Sequence, residues 1–318
     1  MKAFRFLLCV LTCLVSMPSL YATYVYKDGC LVNASDLSSS PLHVHYNQGV
    51  AAYQKQDWAE AAKQFNIVAV NHASSEWAQE AFFFLGVANY ELAEYDFANE
   101  AFTLYLSAKS CPEHFDEAIE YKFAVAEQFR CGARKHMFGT KQLPKWATGQ
   151  TAALEIYDEV IAAAPSQEIA ARALYSKGLL LWEQKDYRES VDSFYLLIRR
   201  FPKHELAPES YLVISQVYLE QSQSEFQNPD LLALAQVNLQ RFERDFPNEE
   251  RLKNSADDVL KIKEVYANGL FQTASFYERT GRPEAASIYY KNAMAQFPGT
   301  TIAEYCQRRL DSLSKAKS

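Results

Sequence analysis

The sequence predicts an all-α fold, and three observations predict it. Glycine and proline are scarce, at 10 and 11 of 318 residues, while alanine is abundant at about 42. Helices favour that balance, whereas turn-rich β architectures need frequent Gly and Pro punctuation. Small and aromatic residues also return along the chain at fixed offsets, which is how stacked helix pairs are written in sequence. The remaining composition is ordinary for a folded chain, 49% apolar and 22% charged, and excludes collagen-like, disordered and disulfide-dense classes. A net charge of −7 argues against broad nucleic-acid binding.

Residues 1–22 read as an export signal. Lys2 and Arg5 precede an apolar run over 6–17, Pro18 breaks it, and Ala22 offers a cut before Thr23. The run is about 12 residues, short of the roughly 20 a spanning helix needs. Without Lys2 and Arg5, 30 basic residues face 39 acidic ones, leaving −9. Cys13 follows Val10-Leu11-Thr12, and the bulk of Thr12 disfavours lipid attachment there. Residues 23–41, Ser-rich towards their end, have no helical period and are expected to be an extended lead-in.

Repeats are expected over 42–313, followed by a tail at 314–318. Gly49 is followed by Ala61, Phe65 and Val68 at offsets of 12, 16 and 19. Gly86 is followed so by Ala98, Phe102 and Tyr105; Gly178 by Ser190, Phe194 and Leu197; Ala274 by Ala286, Tyr290 and Ala293. Pro202 and Pro298 close the last two. Two more units fit with an insertion between their helices, one ending Ala153, Tyr157, Val160, Pro165 and the other Ala235, Leu239, Phe242, Pro247. A small residue on the first helix lets the second cross closely, and the aromatic four residues on fills the next layer of the same face. The closing proline cannot continue a helix, and Pro283 suits a first helical turn. A long linking helix is expected over 255–279, and one capping helix over 303–313.

This grid of six helix-turn-helix units resembles the tetratricopeptide repeat, which implies an α-solenoid of stacked pairs used for protein binding. A narrower resemblance covers about 170–313. Units ending Phe201-Pro202, Phe246-Pro247 and Phe297-Pro298, the insertion at 220–232 and the long helix with Tyr266, Phe276 and Tyr277 are similar to the BamD (competence lipoprotein) family of outer-membrane assembly factors. The resemblance implies docking to a β-barrel insertase or to outer-membrane client segments, from the periplasm at the outer membrane. Extra repeats before the similar region, and one helix in place of the final repeat, depart from that family. The Phe-Pro unit ends also resemble the Phe-Pro or Tyr-Pro ends of the periplasmic repeat factor CpoB, which would imply a coordinator of cell-wall synthesis and division.

No enzyme constellation is legible. The six His residues are scattered, and HExxH, GxSxG, phosphate-loop and GxGxxG motifs are absent from the sequence. No catalytic residue, cofactor or metal is therefore expected. Cys111 and Cys131 bracket one expected helix, which would hold them roughly 25–30 Å apart and unable to pair.

Two sets of residues are candidates for partner binding. Three residues before the small landmark stand Tyr46, Phe83, Tyr121, Tyr175 and Phe271; four after it stand Tyr53, Tyr90 and Trp182. Tyr121 assumes Ala124 as landmark of the third unit. These rings either line the inner face of the solenoid, where they would bury peptide surface, or pack between repeats. A cationic clamp for a terminal carboxylate is not expected, because rings occupy the places where Lys or Arg would stand. The second set is a basic loop. No acidic residue lies between Glu127 and Glu155, while Arg130, Arg134, Lys135, Lys141 and Lys145 do, interleaved with Met137, Phe138 and Trp146. It reads as a solvated insertion or as a contact for an acidic partner or a membrane surface.

Overall fold

The computed structural model describes residues 24–27, 30–33, 40–71, 75–108, 112–141, 143–225 and 228–317. The export signal, Cys13 and Cys111 lie outside them. Among the described residues the chain forms thirteen α-helices and two small hairpins, so the all-α repeat solenoid class holds. It divides into two compact units, 1–121 and 122–318.

The first unit begins with an antiparallel hairpin, β1 (Tyr24–Lys27) and β2 (Cys30–Asn33), paired from Tyr24↔Asn33 to Lys27↔Cys30. The expected lead-in thus contains strands. Four helices follow: α1 (Leu42–Gln54), α2 (Trp58–Asn71), α3 (Glu76–Glu91) and α4 (Tyr95–Ala108), and α5 (Phe115–Arg130) starts here. α1 packs on α2, α2 on α3 and α3 on α4. Ala61, Phe65 and Val68 of α2 meet Ala81, Leu85 and Ala88 of α3 in a buried core. The Ser75 side chain caps α3 by accepting from Ala78 N–H at 3.1 Å, satisfying one of its orphan donors.

The glycine landmarks have a steric reason. A Cβ on Gly49 would meet the Phe65 ring at 2.9 Å, on Gly86 the Phe102 ring at 2.6 Å, and on Gly178 the Phe194 ring at 2.7 Å. The offset of 16 is a ring lying on bare backbone. The turns are equally regular. Gln56, Ala93, Lys185, Gly132 and Gly281 all have φ between 57° and 100°. In each case the next N–H reaches back five residues, as Asp57 N to Ala52 O at 2.9 Å and Arg282 N to Tyr277 O at 2.9 Å. This is a Schellman closure, and it defines one register for five helix pairs.

The second unit holds the end of α5, a hairpin, and eight helices. The hairpin pairs β3 (Arg134–His136) with β4 (Lys145–Thr148) around a short 3-10 turn at Met137–Gly139. The basic insertion is therefore built as a hairpin. The helices are α6 (Gln150–Ala163), α7 (Glu168–Glu183), α8 (Tyr187–Arg200), α9 (Leu206–Ser224), α10 (Pro229–Asp245), α11 (Arg251–Arg279), α12 (Pro283–Gln296) and α13 (Thr301–Lys317). Pro229 and Pro283 each occupy a first helical turn. The helices before Pro165, Pro202, Pro247 and Pro298 end alike, each last N–H bonding four residues back, as Phe201 N to Leu197 O at 2.8 Å and Phe246 N to Phe242 O at 2.8 Å. The long helix α11 is 29 residues and starts at Arg251, four residues earlier than expected.

In the fifth pair a polar cluster replaces the ring-on-glycine contact. Asn238 Nδ2 donates to Tyr211 O and to Ser215 Oγ, both at 2.9 Å, Ser215 Oγ meets Ser255 Oγ at 2.6 Å, and Tyr195 OH donates to Asn238 Oδ1 at 3.1 Å. It joins α8, α9, α10 and α11, and small hydroxyls there let the long helix pack on α9. At the end of the chain, the Glu264 carboxylate accepts from the N–H groups of Thr301 and Ile302, capping α13 with negative charge at its positive end. Cys306 lies fully buried against Ala274, Tyr290 and Ala293, and burial pushes its thiol up to about 11.

Candidate interaction surface

Tyr46, Tyr53, Tyr90 and Trp182 each meet the first helix of the next pair, whereas Tyr175 and Phe271 meet the second helix of their own. Tyr46 is half-buried, edge-on to Phe65 at 5.9 Å and to Trp77 at 4.6 Å, and its hydroxyl donates to Glu80 Oε2 at 2.6 Å. Tyr53, also half-buried, is edge-on to Trp58 and Phe84. Burial, followed by the Glu80 bond, holds the Tyr46 phenol well above its ordinary value, and burial raises that of Tyr53. Tyr90, also half-buried, is edge-on to Tyr95 at 5.6 Å and to Tyr121 at 5.4 Å. In the second unit Tyr175 is half-buried 5.6 Å from Phe194. The Trp182 Nε1–H donates to Glu220 Oε2 at 2.7 Å, and Tyr187 donates to the other oxygen at 3.2 Å. Phe271 packs half-buried at 5.7 Å from Tyr290.

Two of the expected positions need correction. Phe83 is 3% exposed, stacked 4.3 Å from His114 and close to Phe102 and Tyr105; it is core and offers nothing to a ligand. Tyr121 belongs to another register. The landmarks Gly49, Gly86, Gly178 and Ala274 stand seven residues before the left-handed turn residue, and in the third pair that residue is Gly132, so its landmark is Val125. Tyr121 instead stacks on Phe102 at 5.3 Å.

The place three residues before Val125 belongs to Lys122. Its side chain is 2% exposed and its ammonium lies 2.5 Å from Glu159, which is 48% exposed. Burial lowers its pKa, with Glu159 acting against the shift. A cation thus occupies one of the places expected to hold rings, but it is matched by a carboxylate of its own unit.

The partners of the rings were missing from the sequence reading. Tyr46 and Glu80 are 34 residues apart, as are Tyr211 and Asp245, whose hydroxyl–carboxylate bond is 2.6 Å. A repeat length of 34 would have found both pairs. Charge is also built inside the third pair. Tyr157 OH donates to Glu127 Oε1 at 2.5 Å, and Arg130 Nη2 to Glu127 Oε2 at 2.7 Å. Burial disfavours the Glu127 carboxylate, yet the bonds from Arg130 and Tyr157 hold its pKa below the ordinary value.

The basic residues do not form one set. Arg130 ends α5 and is committed to Glu127 and, at 3.6 Å, to Glu183. Arg134, Lys135, Lys141 and Lys145 lie on the hairpin, Arg134 and Lys141 exposed and the other two half-buried. A cavity of about 300 Å³ lies apart from all of these, between α6, α7 and α8, lined by Asp158, Lys177, Glu189 and Asp192. Among the described residues no helix is long and apolar enough to cross a membrane.

Comparison with known proteins bears on the repeats alone. Residues 151–205, which span α6, α7 and α8, match the tetratricopeptide-repeat family. No curated protein sequence matches the chain. Similar solved structures include MamA from Desulfovibrio magneticus RS-1, 16% identical over 66% of this chain and 97% of that one, with a TM-score of 0.35. A tetratricopeptide repeat protein from Parabacteroides merdae is 12% identical over 86% of this chain and 98% of that one, with a TM-score of 0.36. YrrB, described as having an unusual peptide-binding site, is 13% identical over 67% and 90%, with a TM-score of 0.37. The chain is a helical-repeat protein whose residues 151–205 match the tetratricopeptide-repeat family.

Proposed function

We propose that this protein is an exported scaffold of the bacterial envelope, that it binds polypeptide segments on its first-helix face, and that it serves outer-membrane protein assembly as members of the BamD family do. The observation that carries the binding site is the set of half-buried rings fixed by neighbouring carboxylates, as Tyr46 by Glu80 and Trp182 by Glu220. Such rings lose little freedom when covered, and their faces bury apolar side chains of an extended or helical segment. The carboxylates beside them favour amide or basic donors on that segment. Export rests on the charged, apolar and small-residue order of 1–22. The assembly role rests on the Phe-Pro unit ends and the long α11 in the region that resembles that family.

The test is an affinity purification from gently solubilised envelopes, joined to depletion of the protein. Co-purification of the β-barrel insertase and loss of outer-membrane porins are the expected results. Normal porin levels with a constriction defect would replace this reading by a role like that of CpoB.

A further inference from the structure

We propose that the β3–β4 hairpin is a docking element for an anionic lipid surface. Its charge is the first argument. From 128 to 154 the chain has no acidic residue, although the whole protein carries −7. Arg134, Lys135, Lys141 and Lys145 concentrate the positive charge of that stretch on one small hairpin, with Arg134 and Lys141 exposed. An acidic protein with one locally basic element approaches a negative surface with that element first.

Exposure is the second argument. Trp146 is 67% exposed and Leu143 39% exposed, either side of Lys145. An indole kept in water next to cations is costly for a purely solvated insertion, yet it suits the headgroup level of a bilayer, where an amphipathic ring sits with its apolar body inward. The base of the hairpin is firm. A Cβ on Gly149 would meet Phe129 at 2.3 Å and Ala133 O at 2.7 Å, so only glycine allows β4 to enter α6 this close to α5. Ala133 N–H is bonded to Gln128 O at 2.9 Å, and Trp146 N–H to Pro144 O at 3.0 Å. Cations and ring therefore stand on an element whose base is fixed against α5.

Lipid fits these features better than an acidic protein segment. Basic residues beside one exposed indole need no partner of fixed complementary shape, because lipid phosphates rearrange on a laterally fluid surface. Each basic residue near such a surface contributes about a fivefold gain in affinity. The inference stands on the hairpin and is independent of what the first-helix face binds.

The test uses the full mature chain and sedimentation with vesicles of phosphatidylglycerol in phosphatidylethanolamine, against vesicles of phosphatidylcholine. Binding to the anionic vesicles alone is expected, with release as salt rises from about 0.05 to 0.5 M. The combined R134E, K135E and K141E variant should raise the half-saturating lipid concentration by at least about tenfold. Trp146→Phe should remove most of the vesicle-induced blue shift in indole emission, and a thermal melt shows that it remains folded. Equal binding to both vesicle types overturns the proposal, as does binding that neither the triple substitution nor salt reduces. Capture of an acidic protein by the hairpin, with no vesicle binding, also overturns it.

Discussion

At the scale of single residues, the third helix pair shows how a buried charge stands in for a ring. Tyr46 and Tyr175 fill their places with aromatic surface, whereas Lys122 fills the same place with an aliphatic stem and sends its ammonium to Glu159. Replacing a buried ion by an apolar residue of similar volume is often neutral, while removing its counter-charge is not. Lys122→Met is therefore expected to melt close to the wild type, within about 1 kcal/mol. Glu159→Ala strips the ammonium of its carboxylate and should cost about 1–3 kcal/mol, less than for a fully buried pair because Glu159 is half in water. Chemical denaturation of the two variants checks the order, and a larger loss for Lys122→Met would refute it. The glycine positions were legible in the sequence because a ring needs bare backbone sixteen residues away. Lys122 was not, because Val125 leaves no small-residue mark and an inserted hairpin removes the spacing to Tyr157 that sets the register elsewhere.

At the scale of elements, helix ends explain more of the chain than helix propensity does. Left-handed residues at Gln56, Ala93 and Lys185 close three first helices without glycine, a conformation costing roughly 1 kcal/mol or more for an L-residue, and the reach-back hydrogen bonds at the same turns offset it. The C-terminal helix depends on a distant cap. Glu264→Gln should weaken the bonds to Thr301 and Ile302 by about 0.5–2 kcal/mol. Hydrogen exchange should then rise over 301–313 while α7 and α8 stay protected. Unchanged exchange at the start of α13 would show that core packing and the Thr300 cap on Ala303 N–H hold it without Glu264. Helix pairs and unit ends could be read from Pro202, Pro247 and Pro298, because proline is tolerated in a first helical turn but cannot continue a helix beyond it. The hairpins could not: β3 and β4 are three and four residues long and lack an alternating apolar face, so nothing in their pattern separates strand from loop.

At the scale of the molecule, buried tyrosine makes the fold sensitive to alkaline pH. Burial raises the phenols of Tyr46, Tyr53, Tyr157, Tyr175, Tyr211 and Tyr218 above their ordinary value. Between the unfolded value of 10.0 and the raised folded ones, the unfolded chain binds fewer protons. The stability these groups contribute is fully present below pH 10.0 and is lost as pH rises through the folded values. Lys122, lowered in the fold, acts in the opposite sense below its ordinary value, but it is a single group against many raised phenols. Alkaline unfolding should therefore begin above about pH 10, with phenolate absorbance and loss of helix rising together. Helix lost well before phenolate appears would place the sensitivity elsewhere.

The central claim is that the first-helix face, with its fixed rings, is the surface that takes a partner. It is tested most directly by placing a photo-crosslinking phenylalanine analogue at Tyr53, Tyr90 or Trp182 on first helices, and at Lys63, Glu100 or Arg200 on second helices, in cells making the full chain. All three control positions are exposed, so access alone would favour them. The account predicts protein adducts from the first-helix sites and none above background from the second-helix sites. Adducts arising only from Lys63, Glu100 or Arg200 would contradict it.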